Sequence, residues 1–282
     1  MKLAIGTVQF GLSYGINNEL GKPSLKTVTD ILRLASLNKI DTLDTANSYG
    51  DSENIIGLCS DFNFKIVSKF SKIKDAKELE IQLASTLKNL RIQNLYAYLS
   101  HNPKELILNQ KIWESLINLK SNGKINKIGY SVYTKQELDS LLKLDIIPDL
   151  IQLPFSLLDR AFESYLPELK SKNIEIHSRS VFLQGLYFMN FDKLPKKLES
   201  LKPALSELND ICNYNNMKMN ELALQYVNSN KFIDKILIGV DSLEQLQNNI
   251  ESVSNKNITV NILDSINRVN TNFQELLNPS NW

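Results

Sequence analysis

Short apolar runs recur along the chain about every 25 to 40 residues, and each has the length of one β-strand. Polar and turn-forming residues bound these runs, as is typical of strands that are buried in a sheet. The pattern predicts strands at Leu3–Thr7, Ile40–Leu43, Lys65–Val67, Leu95–Leu99, Lys127–Tyr130, Leu150–Leu153, Ile174–His177 and Lys235–Ile238.

Apolar residues at helical spacing fill most of the intervals between these runs. The clearest segment is Leu25–Leu37, with Ser24 placed to cap its first turn. Further helices are predicted at Glu78–Leu90, Ile107–Leu119, Gln136–Leu144, Tyr165–Lys172, Glu221–Val227 and Leu243–Ser252. Two extra helices interrupt or follow the alternation, at Ser200–Tyr214 after the seventh strand and at Val260–Leu277 near the C-terminus.

Strands that alternate with helices pair in parallel through right-handed crossovers. Because no long Gly-, Pro- or Ser-rich linker divides the chain, we expect one α/β domain over residues 1–282, folded as a (β/α)8 TIM barrel. In such barrels the side chains at the carboxyl ends of the strands converge on one face.

Composition narrows the possible partners. The net charge is +1, so no excess of charge points to nucleic acid. No apolar run approaches the roughly 20 residues of a membrane span. The segment MKLAIGTVQFG enters a strand at once and has no signal-peptide core, so a cytoplasmic protein is expected.

Cys59 and Cys212 fall in helical patterns and are expected to be buried, reduced thiols. No Cys/His cluster in the sequence indicates a metal site.

Four polar residues lie at the ends of three successive predicted strands: Asp44, Tyr49, Lys69 and His101. Taken singly, each has an ordinary interpretation, such as a turn-capping Asp or a surface Lys. Together, an acid, a phenol, an amine and an imidazole at strand ends predict one reactive pocket. We call these four residues the tetrad.

The motif DTANSYG at 44–50, followed by strands that end at Lys69 and His101, resembles the aldo-keto reductase family. Later segments resemble family segments in the same order, and the resemblance extends over about residues 3 to 250. These segments are GYSVY at 129–133, IQLPFSLLDRAF at 151–162, RSVFLQGL at 179–186 and IGVDSLEQLQNNI at 238–250.

The resemblance assigns a role to each member of the tetrad. Tyr49 is expected to be the general acid or base, and the Lys69 ammonium is expected to lower the pKa of its phenol. Asp44 would hold Lys69, and His101 would orient the substrate carbonyl.

No GxGxxG motif indicates a Rossmann site for a dinucleotide. The resemblance instead implies a nicotinamide cofactor that lies across the top of the barrel. Ser131 and Gln152 would bind the carboxamide, and Arg179 stands where the family often stacks a tyrosine on the ring. The other expected cofactor contacts are Phe182, Gln184 and Gly185 at the pyrophosphate, and Gly239, Asp241, Ser242, Gln245 and Asn249 at the adenosine.

The family usually takes NADP(H), but the adenosine region carries Asp241 and Gln245 where an Arg or Lys is common. An acid favours a ribose 2′-hydroxyl over a 2′-phosphate, so NAD(H) or use of both cofactors is also expected. No Lys or Arg lies in Gly239–Ile250, and Lys256 reaches the site only if the chain folds back.

The sequence therefore predicts an NAD(P)H-dependent oxidoreductase that reduces an aldehyde or ketone to an alcohol. Only Asn102–Leu106 separates His101 from the next predicted helix, and such a short loop indicates an open mouth suited to a sugar or sugar derivative. Two alternatives remain open at this point: an aldose dehydrogenase that works in the oxidative direction, and a cofactor-binding regulatory subunit without turnover. The sequence does not decide the substrate or the oligomeric state.

Overall fold

Eight parallel strands close into a barrel in the order in which they occur in the chain, β1 to β8, with β1 pairing with β8. The computed structural model describes residues 1–16, 18, 21–59, 63–254 and 258–278. The strands are Leu3–Gly6, Thr42–Asp44, Lys65–Phe70, Leu95–Ser100, Ile125–Ser131, Leu150–Pro154, Glu175–Arg179 and Lys235–Gly239. The predicted barrel is confirmed, and each predicted strand overlaps an observed one.

Helices surround the barrel and connect its strands. The helices α1 to α13 span Val8–Gly11, Leu25–Leu37, Ser52–Leu58, Ala76–Leu90, Lys104–Leu108, Lys111–Ser121, Lys135–Lys143, Leu166–Ser171, Lys202–Tyr214, Met219–Ser229, Leu243–Ser254, Val260–Arg268 and Gln274–Leu277. A short 3-10 helix at Glu163–Tyr165 precedes α8, and three others follow β7, at Leu183–Phe188, Phe191–Lys193 and Lys196–Leu201. The Ser24 hydroxyl accepts a hydrogen bond from the Thr27 N–H and caps α2 as predicted.

Two predicted helices are each broken in two. The prediction Ile107–Leu119 was wrong in joining α5 and α6, because Asn109 is extended and its side chain accepts from the Lys111 N–H. The prediction Val260–Leu277 was wrong in joining α12 and α13, because Val269 is extended and Asn270 accepts from the Asn272 N–H. Asn side chains that bond to nearby backbone compete with helix continuation in this way.

The apolar core has two parts. A large cluster fills the space between the strands and the surrounding helices. A small cluster of Val67, Ala97, Leu99 and Leu150 fills the inside of the barrel. Cys59 and Cys212 are both buried and free of disulfide bonds, as predicted. No helix of the described residues is long and apolar enough to cross a membrane.

A polar network occupies the amino-terminal ends of the strands. Glu175 accepts hydrogen bonds from the Tyr96 hydroxyl at 2.7 Å and from Lys127, and it contacts His177 Nε2 at 2.7 Å. The Asp41 carboxylate likewise accepts hydrogen bonds from the Lys65 and Lys235 ammonium groups. We call these residues the basal network, because they lie opposite the carboxyl ends of the strands. The interactions join β3, β4, β5, β7 and β8 to one another and to the segment before β2.

Candidate active site

All four tetrad residues line one cavity of about 480 Å³ at the carboxyl ends of the strands. Ten of the eleven predicted cofactor residues also line it: Ser131, Gln152, Arg179, Phe182, Gln184, Gly185, Gly239, Asp241, Gln245 and Asn249. The eleventh, Ser242, is not a lining residue. Its hydroxyl instead accepts from the Gln245 N–H in the first turn of α11.

Lys69 and Asp44 form a buried ion pair at the floor of the cavity. Their side chains are 2% and 6% exposed, and Lys69 Nζ lies 2.6 Å from Asp44 Oδ2. Lys69 also donates to the Thr45 carbonyl at 2.9 Å, and Gln152 Nε2 donates to the other Asp44 oxygen. Because both oxygens of the carboxylate are engaged, the ammonium group is held in one position facing the cavity.

The rings of Tyr49 and His101 meet above this pair. Lys69 Nζ lies 5.1 Å from the centre of the Tyr49 ring, and the His101 ring meets the Tyr49 ring edge-on at 5.6 Å. Tyr49 sits in the turn after β2, whose backbone packs closely on α1. A Cβ atom at Gly11 would lie 1.8 Å from the Tyr49 carbonyl oxygen, so this approach requires glycine.

The expected lowering of the Tyr49 pKa is not found. Burial, followed by the charge of Asp44 and the proximity of Tyr133, raises the pKa of Tyr49 above its ordinary range, and the Arg179 guanidinium only partly opposes this. The physical reason is that burial removes water from the charged phenolate and that the nearby Asp44 carboxylate repels it. The phenol therefore keeps its proton at neutral pH.

His101 is a neutral imidazole at neutral pH. Burial, together with the positive charges of Lys69 and Arg179, lowers its pKa to about 3. Its Nδ1 lies 3.2 Å from the Ser48 hydroxyl. When Ser48 donates to Nδ1, the proton of the neutral ring is on Nε2, which can then donate to a carbonyl oxygen.

Three buried acceptors of cavity-lining residues have no hydrogen-bond partner among the described residues. They are Gln9 Oε1, on α1, Gln152 Oε1, on β6 beside the tetrad, and Asp241 Oδ1, after β8. Buried polar atoms are normally satisfied. A dinucleotide fits Gln152 and Asp241, because its carboxamide N–H and its ribose hydroxyls are donors, and because a helix N-terminus near the end of β8 favours phosphate.

Several lining residues were not predicted. Lys218, the N-cap residue of α10, lines the cavity together with Asn220, Asn248 and Asp241, and it lies outside the segment Gly239–Ile250, which holds no Lys or Arg. Lys256 lies outside the described residues. Thr7, Gln9, Tyr14, Tyr133 and Phe188 also line the cavity. They lie in loops or in short helical segments at the strand ends, where no periodic pattern marks them as cavity residues.

Hydrogen bonds join the segment after β1 to the segment after β7 beside the cavity. Gln184 Nε2 donates to the Tyr14 hydroxyl at 2.6 Å, and the Ile16 N–H donates to the Gln184 carbonyl at 3.2 Å. Both Tyr14 and Gln184 line the cavity. We call this connection the bridge.

The fold and the cavity are those of a (β/α)8 barrel enzyme, with its polar side chains gathered at the strand ends. The chain belongs to the aldo/keto reductase family of oxidoreductases, whose sequence model matches residues 2–270.

Named relatives and solved structures agree with this assignment. The chain is 25% identical to L-galactose dehydrogenase of Arabidopsis thaliana over 258 residues, which covers 82% of this chain and 78% of that protein. Its fold is similar to aldo-keto reductase AKR11C1 from Bacillus halodurans in its holo form, with a TM-score of 0.77 and 19% identity over 95% of this chain and 91% of that one. It is also similar to glycerol dehydrogenase AKR11B4 from Gluconobacter oxydans, with a TM-score of 0.76 and 19% identity over 95% and 90% of the two chains.

Proposed function

We propose that this protein reduces an aldehyde or ketone to an alcohol with NADPH or NADH, and that Tyr49 supplies the proton. The observation that carries the proposal is the arrangement of Tyr49, Lys69 and His101 around one cavity, with Lys69 fixed by Asp44 at 2.6 Å. Membership of the family supports the same chemistry.

The reaction needs a hydride at the carbonyl carbon and a proton at the carbonyl oxygen. The bound nicotinamide would supply the hydride. His101 Nε2–H would orient the carbonyl oxygen, and the Tyr49 hydroxyl would transfer its proton to that oxygen as the negative charge develops. Tyr49 would then regain a proton from solvent, and the buried Lys69 ammonium would stabilise the phenolate in the interval.

Gln152 and Ser131 would hold the carboxamide, because Gln152 Oε1 is a free acceptor and Ser131 lies on the adjacent strand in register with it. Phe182, Gln184 and Gly185 would line the pyrophosphate path, and the bridge would cover it. Gly239, Asp241, Gln245 and Asn249 would enclose the adenosine, with Ser242 positioning Gln245 through the turn they share.

The proposed substrate is a polar carbonyl such as a sugar or a sugar derivative. Tyr14, Tyr133 and Phe188 give aromatic faces in the wall of the cavity that holds the tetrad, and the polar lining residues would supply hydrogen bonds. The name of the Arabidopsis relative, L-galactose dehydrogenase, points to the same substrate class.

The second candidate function is oxidation of a sugar alcohol or aldose, the reverse direction. It is favoured by the dehydrogenase names of the plant relative and of the Gluconobacter structure. A regulatory subunit without turnover is a weaker alternative, because all four tetrad residues are present and gathered in one cavity. A cytoplasmic location and a single domain over residues 1–282 remain predictions from the sequence.

The test is a screen of carbonyls and alcohols with NADPH, NADH and their oxidised forms, followed at the nicotinamide absorbance band. For an active pair, Tyr49→Phe should lower kcat by about 10²–10⁴-fold, the usual contribution of a general acid. Cofactor binding should be nearly unchanged. Tyr214→Phe is the matched control, because Tyr214 is 92% exposed outside the cavity. Full activity in Tyr49→Phe would contradict the assigned role.

A further inference from the structure

Arg179 brings a positive charge into the cavity without an acidic partner of its own. Its side chain donates to Ser131 Oγ at 3.3 Å, to Ser180 Oγ at 3.3 Å and to the Val132 carbonyl at 2.8 Å, all of which are neutral acceptors. Its guanidinium lies 3.8 Å from the centre of the Tyr133 ring. No carboxylate of the described residues approaches it within 4.0 Å.

The nearest acids do not cancel this charge. Asp44 is already paired with Lys69 at 2.6 Å. Asp159 interacts with Arg179 only at longer range, and burial raises the pKa of its carboxyl group to about 6. Since a guanidinium does not lose its proton in proteins, the wall around Arg179 stays positive across the physiological pH range.

The position of Arg179 relative to the reacting atoms follows from the tetrad. The hydride donor must come within about 3–3.5 Å of the carbonyl carbon, while the carbonyl oxygen contacts Tyr49 and His101. The charge of Arg179 opposes the rise in the pKa of Tyr49 and contributes to the fall in the pKa of His101, so the guanidinium is within electrostatic reach of this point. Ser131, its hydrogen-bond partner, lines the same cavity.

The two redox forms of a nicotinamide cofactor differ in the charge of the ring, which is neutral when reduced and positive when oxidised. The rest of the molecule is the same in both forms. A fixed positive charge beside the ring therefore repels only the oxidised form, and the repulsion is strengthened where the walls exclude water.

We propose that Arg179 makes this protein bind the reduced cofactor more tightly than the oxidised cofactor, and so raises the reduction potential of the bound cofactor. The inference rests on the proposed function, because it requires a nicotinamide cofactor in this cavity.

This bias acts on the direction of the reaction within the complex. In the oxidative direction the oxidised ring would accept a hydride from the alcohol carbon. The hydroxyl proton would go to Tyr49 once the phenol had released its own proton to solvent, which would leave a carbonyl and a reduced ring. The hydride would neutralise the ring and remove its repulsion from Arg179. Arg179 thus displaces the internal equilibrium toward the carbonyl, which supports the oxidative candidate function.

The experiment measures dissociation constants for the oxidised and reduced forms of one cofactor with the wild-type protein, Arg179→Gln and Arg179→Lys. We expect the wild-type protein to bind the reduced form more tightly. Arg179→Gln should reduce the ratio of the oxidised to the reduced constant by on the order of tenfold, as expected for one charge over a few ångströms. A tenfold change corresponds to about 30 mV for this two-electron couple. Arg179→Lys keeps the charge and should retain most of the ratio.

Arg33→Gln is the matched control, because Arg33 lies on the exposed face of α2 and should leave the ratio unchanged. The inference is overturned if the wild-type ratio of the two dissociation constants is near one. It is also overturned if Arg179→Gln binds both forms with an unchanged ratio. Either result leaves the proposed function standing. Failure of the wild-type protein to bind either form would instead overturn both. Thermal unfolding of each variant separates misfolding from altered binding, and the wild-type ratio is informative without any variant.

Discussion

Lys65 and Lys69 occupy the same face of β3, and their surroundings give them different roles. The Lys65 side chain is 49% exposed, whereas the Lys69 side chain is 2% exposed. Sequence alone did not separate these environments. The resemblance predicted a functional role for Lys69, and in the structure it is the lysine whose carboxylate partner is buried.

The Lys69–Asp44 pair is predicted to be important for stability as well as chemistry. Lys69→Met leaves the Asp44 carboxylate buried without a cation, and breaking a buried pair in this way costs about 3–5 kcal/mol. Lys65→Met should cost less than about 1 kcal/mol, because its pair with Asp41 is exposed. Urea unfolding of both variants measures the difference. Equal stability of the two variants would show that Asp44 does not need its cation.

His101 should make the folded state less stable in acid. Its pKa in the folded protein is about 3, below the ordinary value of 6.5. Above pH 6.5 neither state binds the proton, so the residue has no effect there. As pH falls from 6.5 toward 3, His101 binds a proton in the unfolded chain but stays neutral in the folded protein. The unfolding free energy therefore falls by at most about 1.4 kcal/mol per pH unit.

Replacing His101 tests this dependence directly. His101→Gln should remove that part of the acid destabilisation and flatten the stability profile between pH 6.5 and pH 3. Chemical unfolding at a series of pH values gives the slope for each protein. If the slopes of the two proteins are the same, His101 titrates normally in the folded state.

At the scale of elements, the strands were easier to predict than the segments between them. Each strand coincides with an apolar run that the barrel buries, so the sequence pattern alone indicates where the strand lies. The helix Ser52–Leu58 was missed because it has only seven residues and directly follows the polar motif that carries Tyr49. The broken helices were missed because a single Asn turn interrupts an otherwise continuous apolar pattern.

The candidate site shows the same division. The resemblance pointed to the tetrad and to ten cofactor candidates that line the cavity, because they lie in motifs at strand ends. Tyr14, Tyr133 and Lys218 were not found, because only the folded loops bring them to the cavity. The raised pKa of Tyr49 was also missed, since it depends on the burial of the phenol in the folded protein and on the nearby Asp44 carboxylate.

The helices α10 and α11 are predicted to oppose each other in cofactor choice. Lys218, at the start of α10, would attract a 2′-phosphate, and Asp241, before α11, would repel it and accept from a 2′-hydroxyl. Across a few ångströms at a solvated rim each effect is on the order of 1 kcal/mol. Lys218→Met should weaken NADP binding about fivefold with little change for NAD, and Asp241→Arg should strengthen NADP binding.

Dissociation constants for both nucleotides measure this preference, with Lys197→Met on the exposed segment before α9 as control. The prediction fails if Lys218→Met weakens NAD and NADP equally. A wild-type preference for NADP of a hundredfold or more would show that Asp241 does not oppose the phosphate.

At the scale of the molecule, the basal network links strands that are distant in sequence. Glu175 gathers contacts from Tyr96, Lys127 and His177, and these interactions hold its pKa below the usual range against the effect of burial. The Glu175 side chain is 14% exposed, which lies between the exposed Lys65–Asp41 pair and the buried Lys69–Asp44 pair.

Glu175→Gln should therefore lower the unfolding free energy by about 2–3 kcal/mol, between the values for exposed and buried pairs. Cofactor affinity should not change, because the network lies at the opposite end of the strands from the cavity. Urea unfolding and nucleotide titration check the two parts. Glu168→Gln is the control, because Glu168 is 60% exposed in its pair with Lys172. A loss of cofactor affinity in folded Glu175→Gln would contradict this separation.

The basal network also bears on how this chain can be redesigned. Its contacts are made by residues at or near the amino-terminal ends of strands, whereas Tyr14, Tyr133 and Phe188 come from loops at the other end. A library that varies these three positions would leave every basal contact intact. Directed evolution toward new substrates can therefore begin at this end of the barrel, with the basal network kept constant.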